Sequence, residues 1–246
     1  MAKYILFDTE TTGNQEEDRI IQIGAMIISS KSDIEIYDEL SKAPLDIKIE
    51  AMEVHNITPN MLINKPKTID TTIYKKIEEF NKNENYLIAH NINFDLKMIQ
   101  KEGFINQYKL IDTLRCSRHL YKELSYHRLQ YLRYKLDIYK EEEKETLQYN
   151  IKIKAHDAIG DVLVMKLLLS KLVEKCKNIY PKINPMIKLE ELTKTPILIE
   201  VFKFGKYKDR KIKEIAQQDI GYINWMKSSM KLDEDMKYTL EKITRE

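Results

Sequence analysis

The sequence predicts an α/β fold, a mixed sheet flanked by helices, with a small α+β module at its C-terminal end. Three observations lead there. Strand-like runs at 3–9, about 19–30 and about 34–41 open the chain, joined by hairpin-like connections that imply antiparallel pairing. From 69 to 176, segments of helical period alternate with short apolar runs, the order of helices laid over a sheet. Pro181, Pro185 and Pro196 then break the pattern, and residues 198–246 resume with one strand signal and two or three helices.

Each element has its own local reason. Tyr4-Ile5-Leu6-Phe7 is the apolar run of a buried strand, and Arg19 to Ile28 is a longer one. Residues 50–55 and 58–63 read as short helical pieces, and 69–82 as a helix with Ile73, Ile77 and Phe80 on one face. Tyr86-Leu87-Ile88-Ala89 and Tyr108-Lys109-Leu110-Ile111 are short strands, followed by helices over 93–102, 113–121 and 126–136. Residues 140–154, with Glu141-Glu142-Glu143-Lys144-Glu145, are charged and predict a solvated loop. The clearest helix is 158–176. Its Ala158, Val162, Met165, Leu169, Leu172 and Cys176 recur at steps of four and three, a core-facing stripe. The organisation expected is one large domain over 1–178, a linker over 179–197 and a module over 198–246.

Composition narrows the class. The 246 residues are 43% hydrophobic, enough for a substantial core, and 6 Gly with 6 Pro exclude fibrous or low-complexity structure. Cys116 and Cys176 are far apart and fit no metal spacing, so a reduced, cytoplasmic setting is expected. No apolar run approaches the ~18 residues of a membrane span, and Met1-Ala2-Lys3 leads directly into a strand rather than a signal peptide. The net charge of +2 announces no polyanion partner, so any such partner must be met by local patches.

The chemistry lies in three motifs. In Asp8-Thr9-Glu10-Thr11-Thr12-Gly13, two carboxylates sit two residues apart at a strand end, where side chains at i and i+2 share a face. They repel unless a proton or cation lies between them, and a hard ion with oxygen ligands, Mg²⁺ or Mn²⁺, is the natural occupant. In His90-Asn91-Ile92-Asn93-Phe94-Asp95, a strand ends and a helix begins, with Asp95 in its first turn. An acid there also complements the helix dipole. In His156-Asp157-Ala158-Ile159-Gly160-Asp161, Asp161 falls about 60° around the axis from the apolar stripe, at the edge of the buried face. His156 and Asp161 can face one site only if His156 precedes the helix, which Asp157 as N-cap would arrange. Four acids and a histidine at strand ends and helix starts mark a site in an open α/β sheet. They suit two divalent ions about 4 Å apart and a base working near neutral pH.

This motif set resembles the DEDD 3′–5′ exonucleases in their His-bearing, DnaQ-like branch: Asp8 and Glu10 in FDTETTG, Asp95 in HNINFD, His156 and Asp161 in HDAIGD, over about residues 3–176. The resemblance implies a ribonuclease H-like fold and release of nucleoside monophosphates from a 3′ end. It implies that Asp8, Glu10 and Asp161 hold one Mg²⁺ or Mn²⁺ ion, that Asp8 reaches a second with Asp95 in its outer shell, and that His156 is the general base. Thr11, Thr12, Glu50 and His55 would line the pocket of the 3′-terminal nucleotide. Asn56 stands where such enzymes usually have Gly, and Gly160 where they have a small Ala-like residue. The tail resembles the C-terminal module of exodeoxyribonuclease X-type enzymes, through Phe204-Gly205-Lys206-Tyr207-Lys208, Lys211 to Ala216 and Asp219 to Met226. Residues 203–213 hold six Lys or Arg against one Asp, so Lys206, Tyr207, Lys208 and Lys211 are the nucleic-acid contacts expected there. Alternatively, Phe204, Tyr222 and Trp225 form only the core of a very small domain.

The activity expected is therefore 3′–5′ exonucleolysis of DNA, single-stranded or at 3′ ends, in repair or proofreading. A polymerase or repair protein would be its partner, although no polymerase-binding motif is recognisable. Two rivals remain: an RNA 3′-end exonuclease, and a catalytically silent nucleic-acid-binding module that kept the fold.

Overall fold

A computed structural model describes residues 2–30, 32–154 and 156–244. The chain divides into two compact units, Met1–Thr193 and Lys194–Glu246. In the first, a five-stranded sheet has the order β3-β2-β1-β4-β5, built from β1 (Tyr4–Thr11), β2 (Ile20–Ser30), β3 (Asp33–Leu40), β4 (Tyr86–Ala89) and β5 (Lys109–Asp112). The first three strands run antiparallel, while β4 is parallel to β1 and β5 to β4. The mixed sheet read from the sequence is thus present.

Strand alternation sends β1 to two cores. Leu6 packs with Met26, Ile88 and the residues of α7 (Ala158–Ile179). Ile5 and Phe7 pack on the other side with α2 (Thr72–Glu79) and α3 (Ile92–Gln100), through Ile73, Ile77, Met98 and Ile99. The unit also has α1 (Ile49–His55), α4 (Thr113–Leu120), α5 (Leu129–Lys135), α6 (Glu142–Tyr149) and α8 (Pro185–Lys194), with short 3-10 helices at Pro59–Leu62, Thr68–Asp70 and Ile138–Lys140.

The first turns of α7 are buried on every side from Ala158 to Met165, beyond the single stripe expected. Gly24 of β2 explains how the helix comes so close. A Cβ there would lie 2.4 Å from Ala158 C and from Ile159 N. Gly24 is also the register partner of Asp8, so the strand that carries the first acid is flanked by the one residue that admits the helix carrying Asp161. Asn56, in place of the expected Gly, closes α1 at φ 63°, in the left-handed region that Asn tolerates.

Two expectations fail. Residues 140–154 are not a solvated loop, because α6 forms within them. Its Glu142 is buried and takes a bidentate pair from Arg133, 2.6 Å on each arm, while Glu143 and Glu145 complement the helix N-terminus. Nor are residues 179–197 a plain linker. Pro185 starts α8 instead of breaking it, in the first-turn position where its missing N–H costs nothing, and Leu189 and Leu192 are buried in the core of the first unit.

The second unit packs α9 (Ile212–Gln218), α10 (Ile220–Ser229) and α11 (Glu234–Ile243) around Phe202, Ile215, Ile223, Met226 and Leu240. The strand signal amounts to one antiparallel bridge, Val201 with Lys211, so the module is helical with a single bridge rather than evenly α+β.

Candidate active site

Asp8 and Glu10 lie on the β1 face shared with Leu6, toward α7. Thr9 lies on the other, toward α3. This alternation assembles the site from both sides of the sheet. Asp161, on the first turn of α7, is 8% exposed. Asp95 is 3% exposed, on the buried face of α3 with Ile92, Met98 and Ile99. Thr9 fixes it: the Thr9 N–H and hydroxyl both donate to Asp95 Oδ1, at 3.1 and 2.8 Å.

The electrostatics tie Asp8 and Glu10 to the other acids. Burial raises Asp8 well above the usual carboxylate range, and the charges of Asp95, Glu10, Asp161 and Asp157 raise it further. Glu10 is pushed up to about 8 by burial, then by Asp161, Asp95 and Asp157. Asp95 and Asp161 are raised chiefly by burial, against hydrogen bonds that favour their charged forms. Among the described residues, the charges that act most strongly on Asp8 and Glu10 are all acids.

His156 precedes α7 on the loop, as the spacing requires, at φ 58°. It is exposed. Its N–H donates to Asp161 Oδ2 at 3.3 Å, and its charge acts on both Asp161 and His55. Asp157 occupies the N-cap position without capping through its side chain. Its Oδ1 instead accepts from Gln22 Nε2 at 3.3 Å. The same amide nitrogen donates to Asp38 Oδ1 at 2.8 Å, and Gln22 is the register partner of Glu10.

The second group of expected residues is less uniform. His55 is buried beside the end of β1, with Nε2 3.2 Å from the Thr11 carbonyl oxygen, and its Nδ1 accepts the Ile57 N–H at 2.9 Å. Burial lowers its pKa, so the ring is neutral near pH 7. Thr11 and Thr12 spend their hydroxyls internally, on the Gly13 carbonyl at 2.6 Å and on Asp18 at 2.9 Å. Asp18, although buried, is held below the usual carboxylate range by Lys48, the Gln15 N–H and Thr12. That knot ties the turn after β1 to the residue preceding α1. Glu50 is exposed on α1.

Sequence reading missed Thr9, Gln22 and Gln130. Gln130 Nε2 of α5 donates to Asp161 Oδ1 at 2.7 Å, and Arg133 donates to Gln130 Oε1 at 3.1 Å. Asp161 is therefore oriented from both sides, by Gln130 and by the His156 backbone. Thr9 could have been inferred from its place between two acids of opposite facing. Gln130 sits in a helix without any motif.

The donor set fits a hard divalent cation: all oxygen, four carboxylates, each raised in pKa where it stands. Among the described residues, no three His, Cys, Asp or Glu side chains are yet drawn into a closed coordination group.

A family model described as Exonuclease matches residues 5–169. The chain belongs to the exonuclease family. A second model, exodeoxyribonuclease X-like C-terminal, matches residues 202–228, so this exonuclease carries that module in its second unit. It is 24% identical to exodeoxyribonuclease 10 of Escherichia coli K12 over 237 residues, 96% of each chain. It is 29% identical over 187 residues to the PolC-type DNA polymerase III of Bacillus cereus, covering 74% of this chain and 12% of that one. Among solved structures, exonuclease X in complex with 5′ overhanging duplex DNA superposes with a TM-score of 0.54 at 21% identity, covering 77% of this chain and 99% of that one. The ribonuclease H-like exonuclease fold expected from the motifs is the fold found. Exonucleases of this family are metal-dependent. Among the described residues no helix is long and apolar enough to cross a membrane.

Proposed function

We propose that this protein is a 3′–5′ exodeoxyribonuclease that releases nucleoside 5′-monophosphates from DNA 3′ ends using two Mg²⁺ or Mn²⁺ ions. The observation that carries the reading is the set of four buried or half-buried carboxylates, Asp8, Glu10, Asp95 and Asp161, all raised, with other acids as the charges acting most strongly on Asp8 and Glu10 among the described residues. Asp8, Glu10 and Asp161 would hold one ion, and Asp8 the second with Asp95 behind it. When bound, the ions neutralise charge at the scissile phosphate.

The protein's own groups do the rest. Thr9 holds Asp95, while Gln130 and the His156 N–H hold Asp161, so the ligands are oriented before substrate arrives. His156 takes the proton of the attacking water. The water oxygen bonds to phosphorus in line, the P–O3′ bond breaks, and the released 3′ oxygen is protonated from solvent. Neutral His55 and the Thr11 carbonyl border the terminal nucleotide, with Glu50 contacting its 3′ hydroxyl. The 1–178 body with α8 carries cleavage, and the second unit holds substrate through Lys206, Tyr207, Lys208 and Lys211.

DNA is favoured over RNA by likeness along 96% of both chains to an exodeoxyribonuclease and by the matching C-terminal module. The role we assign is DNA repair or proofreading, with a polymerase or repair protein as partner. The test is incubation with Mg²⁺ and 5′-labelled single-stranded DNA, duplex DNA and RNA. A ladder shortening from the 3′ end on DNA is expected. Equal or faster digestion of RNA would move the substrate, internal cuts would refute the exonuclease reading, and binding without cleavage would leave a silent module.

A further inference from the structure

The near-neutral chain must bring a polyanion to an acidic cluster, and a surface in the first unit has the chemistry to do so. Residues 113–140 hold seven Lys or Arg against two acids, and five tyrosines. That stretch carries more positive charge than the +2 of the whole chain. Tyr121 and Tyr131 pack against the core, but the other three stand out from it: Tyr126 is 55% exposed, Tyr134 58% and Tyr139 43%. Each has a cation over its ring, Arg128 at 5.3 Å, Arg133 at 5.3 Å and Lys140 at 5.7 Å respectively. Tyr126 rests edge-on against the half-buried Tyr131, and Tyr134 pairs with Tyr139 with ring centroids 5.7 Å apart. The rings are therefore propped in place rather than free to fold away.

Their position ties them to the acids. Gln130 and Tyr134 are four apart on α5, and so lie on one face about one turn, ~5.4 Å, from each other. Gln130 is the residue that donates to Asp161. Moving from Asp161 along α5, the next exposed group is thus an aromatic ring under a guanidinium. Beyond it, Arg133 and Tyr139 line an open cleft of about 580 Å³ with Thr146, Asn150, Ile151 and Ile153, on the segment leading to the His156 loop. Glu142 and Glu143 also line this cleft. Glu142 is neutralised by Arg133, and the remaining acid suits a base in the cleft rather than a phosphate.

We propose that the Tyr126–Lys140 surface is the track by which a single nucleic-acid strand reaches the carboxylates, its bases stacking on Tyr134, Tyr139 and Tyr126 and its phosphates lying beside Arg128 and Lys135. This rests on the exonuclease reading and adds where the strand upstream of the cleaved nucleotide is held. Exposed rings interleaved with cations are what sequence-tolerant strand binding uses. A surface for a protein partner would instead need an apolar centre depleted of charge, and these rings each sit beneath one.

The test uses the full-length protein and variants outside the catalytic set: Tyr134→Ala with Tyr139→Ala, the matching Tyr→Phe pair, and Arg128→Glu with Lys135→Glu. Binding of a fluorescent 15-mer oligothymidylate is read by anisotropy in Ca²⁺ over a range of salt, and turnover of the 15-mer and of a dinucleotide in Mg²⁺. The Ala pair should weaken 15-mer binding and raise its KM tenfold or more, leaving kcat and dinucleotide turnover within twofold. The Phe pair should keep wild-type affinity. The charge reversal should flatten the salt slope by about 0.7 for each lost phosphate contact. Unchanged affinity and slope in the Ala and charge variants would overturn the proposal and leave the surface to a protein partner, as would equal losses in the Phe and Ala pairs. Binding is measured apart from cleavage. If wild type fails to shorten DNA, the functional reading falls alone, and the track still stands or falls on anisotropy.

Discussion

The acid cluster of the first unit and the basic segment of the second treat charge in opposite ways. In the first, like charges are gathered: burial raises Asp8, Glu10, Asp95 and Asp161 alike, and the charges of the other acids raise Asp8 and Glu10 further. In the second, opposite charges are already matched. Lys206 pairs with Asp219 at 3.2 Å, Tyr207 donates to the same Asp219 oxygen at 2.7 Å, and Lys211 faces Glu214 at 3.6 Å. Hydrogen bonds from Tyr207, the Tyr222 N–H and Lys206 hold Asp219 below the usual carboxylate range. A repelling buried cluster is a demand for an external cation. A paired surface makes no such demand, and its basic composition overstates its field. The tail's aromatics divide likewise. Phe202 forms the core, Tyr207 and Tyr222 stack edge-on at 5.0 Å, and Phe204 and Trp225 are left exposed. The alternative that Phe204 and Trp225 are merely core thus fails, while Tyr207 is more tightly held than a free stacking platform.

The contrast breaks most sharply at Asp8. Asp8→Asn or Asp161→Asn should remove nearly all nuclease activity, on the order of 10³-fold or more, without unfolding the protein, because each removes a charge that its neighbours repel. Near-wild-type digestion in Mg²⁺ by either variant would dissolve the distinction between the units. His156→Ala should come next, lowering the rate by roughly 10²–10⁴-fold. Mn²⁺ binding should be kept and residual activity should climb towards alkaline pH, where hydroxide replaces the base. Loss of Mn²⁺ binding would make His156 a ligand instead.

Gly24→Ala probes the same unit through packing. Its new methyl would meet the α7 backbone at 2.4 Å, so the helix must shift from β2. A stability loss of about 1–3 kcal/mol is expected by denaturant titration, together with a lower rate, since Asp161 moves with α7. Unchanged stability and rate would show that the close approach is not needed to seat Asp161. The smallest effect belongs to the tail. Truncation after Thr195, which keeps α8, should leave kcat at saturating DNA unchanged, weaken binding modestly and flatten its salt slope. Charge reversal of Lys206, Lys208 and Lys211 should do so in part. Surface pairs worth about 0–1 kcal/mol can be exchanged for phosphate, so the change should be smaller than six basic residues suggest. Unchanged affinity and slope would give the module a partner-binding or purely structural role.

How much of this was legible in the sequence follows from how each feature is encoded. The period-two spacing of Asp8 and Glu10 after an apolar run states their shared face directly. The His156–Asp161 spacing likewise requires His156 to stand before a helix. What organises these acids was not legible. Gln130 and Gln22 act across elements whose pairing no local pattern announces, and Gly24 matters only once the β1–β2 register is known. The two misread segments share a cause. Charge density in 141–145 and prolines at 181–196 resemble loop chemistry locally, but Arg133 neutralises Glu142, and Pro185 occupies a helix start. In the first a tertiary ion pair decided the conformation; in the second a helix start did, held by the burial of Leu189 and Leu192.

Melting the metal-free protein across pH tests whether the acid cluster is a metal centre. Glu10, raised to about 8, and Asp8, Asp95 and Asp161, raised above their unfolded values, bind more protons folded than unfolded. Their stabilising contribution is complete below about pH 4 and is lost as pH rises through the folded values. The Tm of the EDTA-treated protein should therefore fall between pH 5 and pH 8. Mn²⁺ should restore it at pH 8, because the ion replaces the lost protons, and Asp8→Asn should weaken both the pH-dependent fall and the rescue. A Tm that Mn²⁺ leaves unmoved at pH 8, or moves equally in Asp8→Asn, would mean that these acids do not hold the ion.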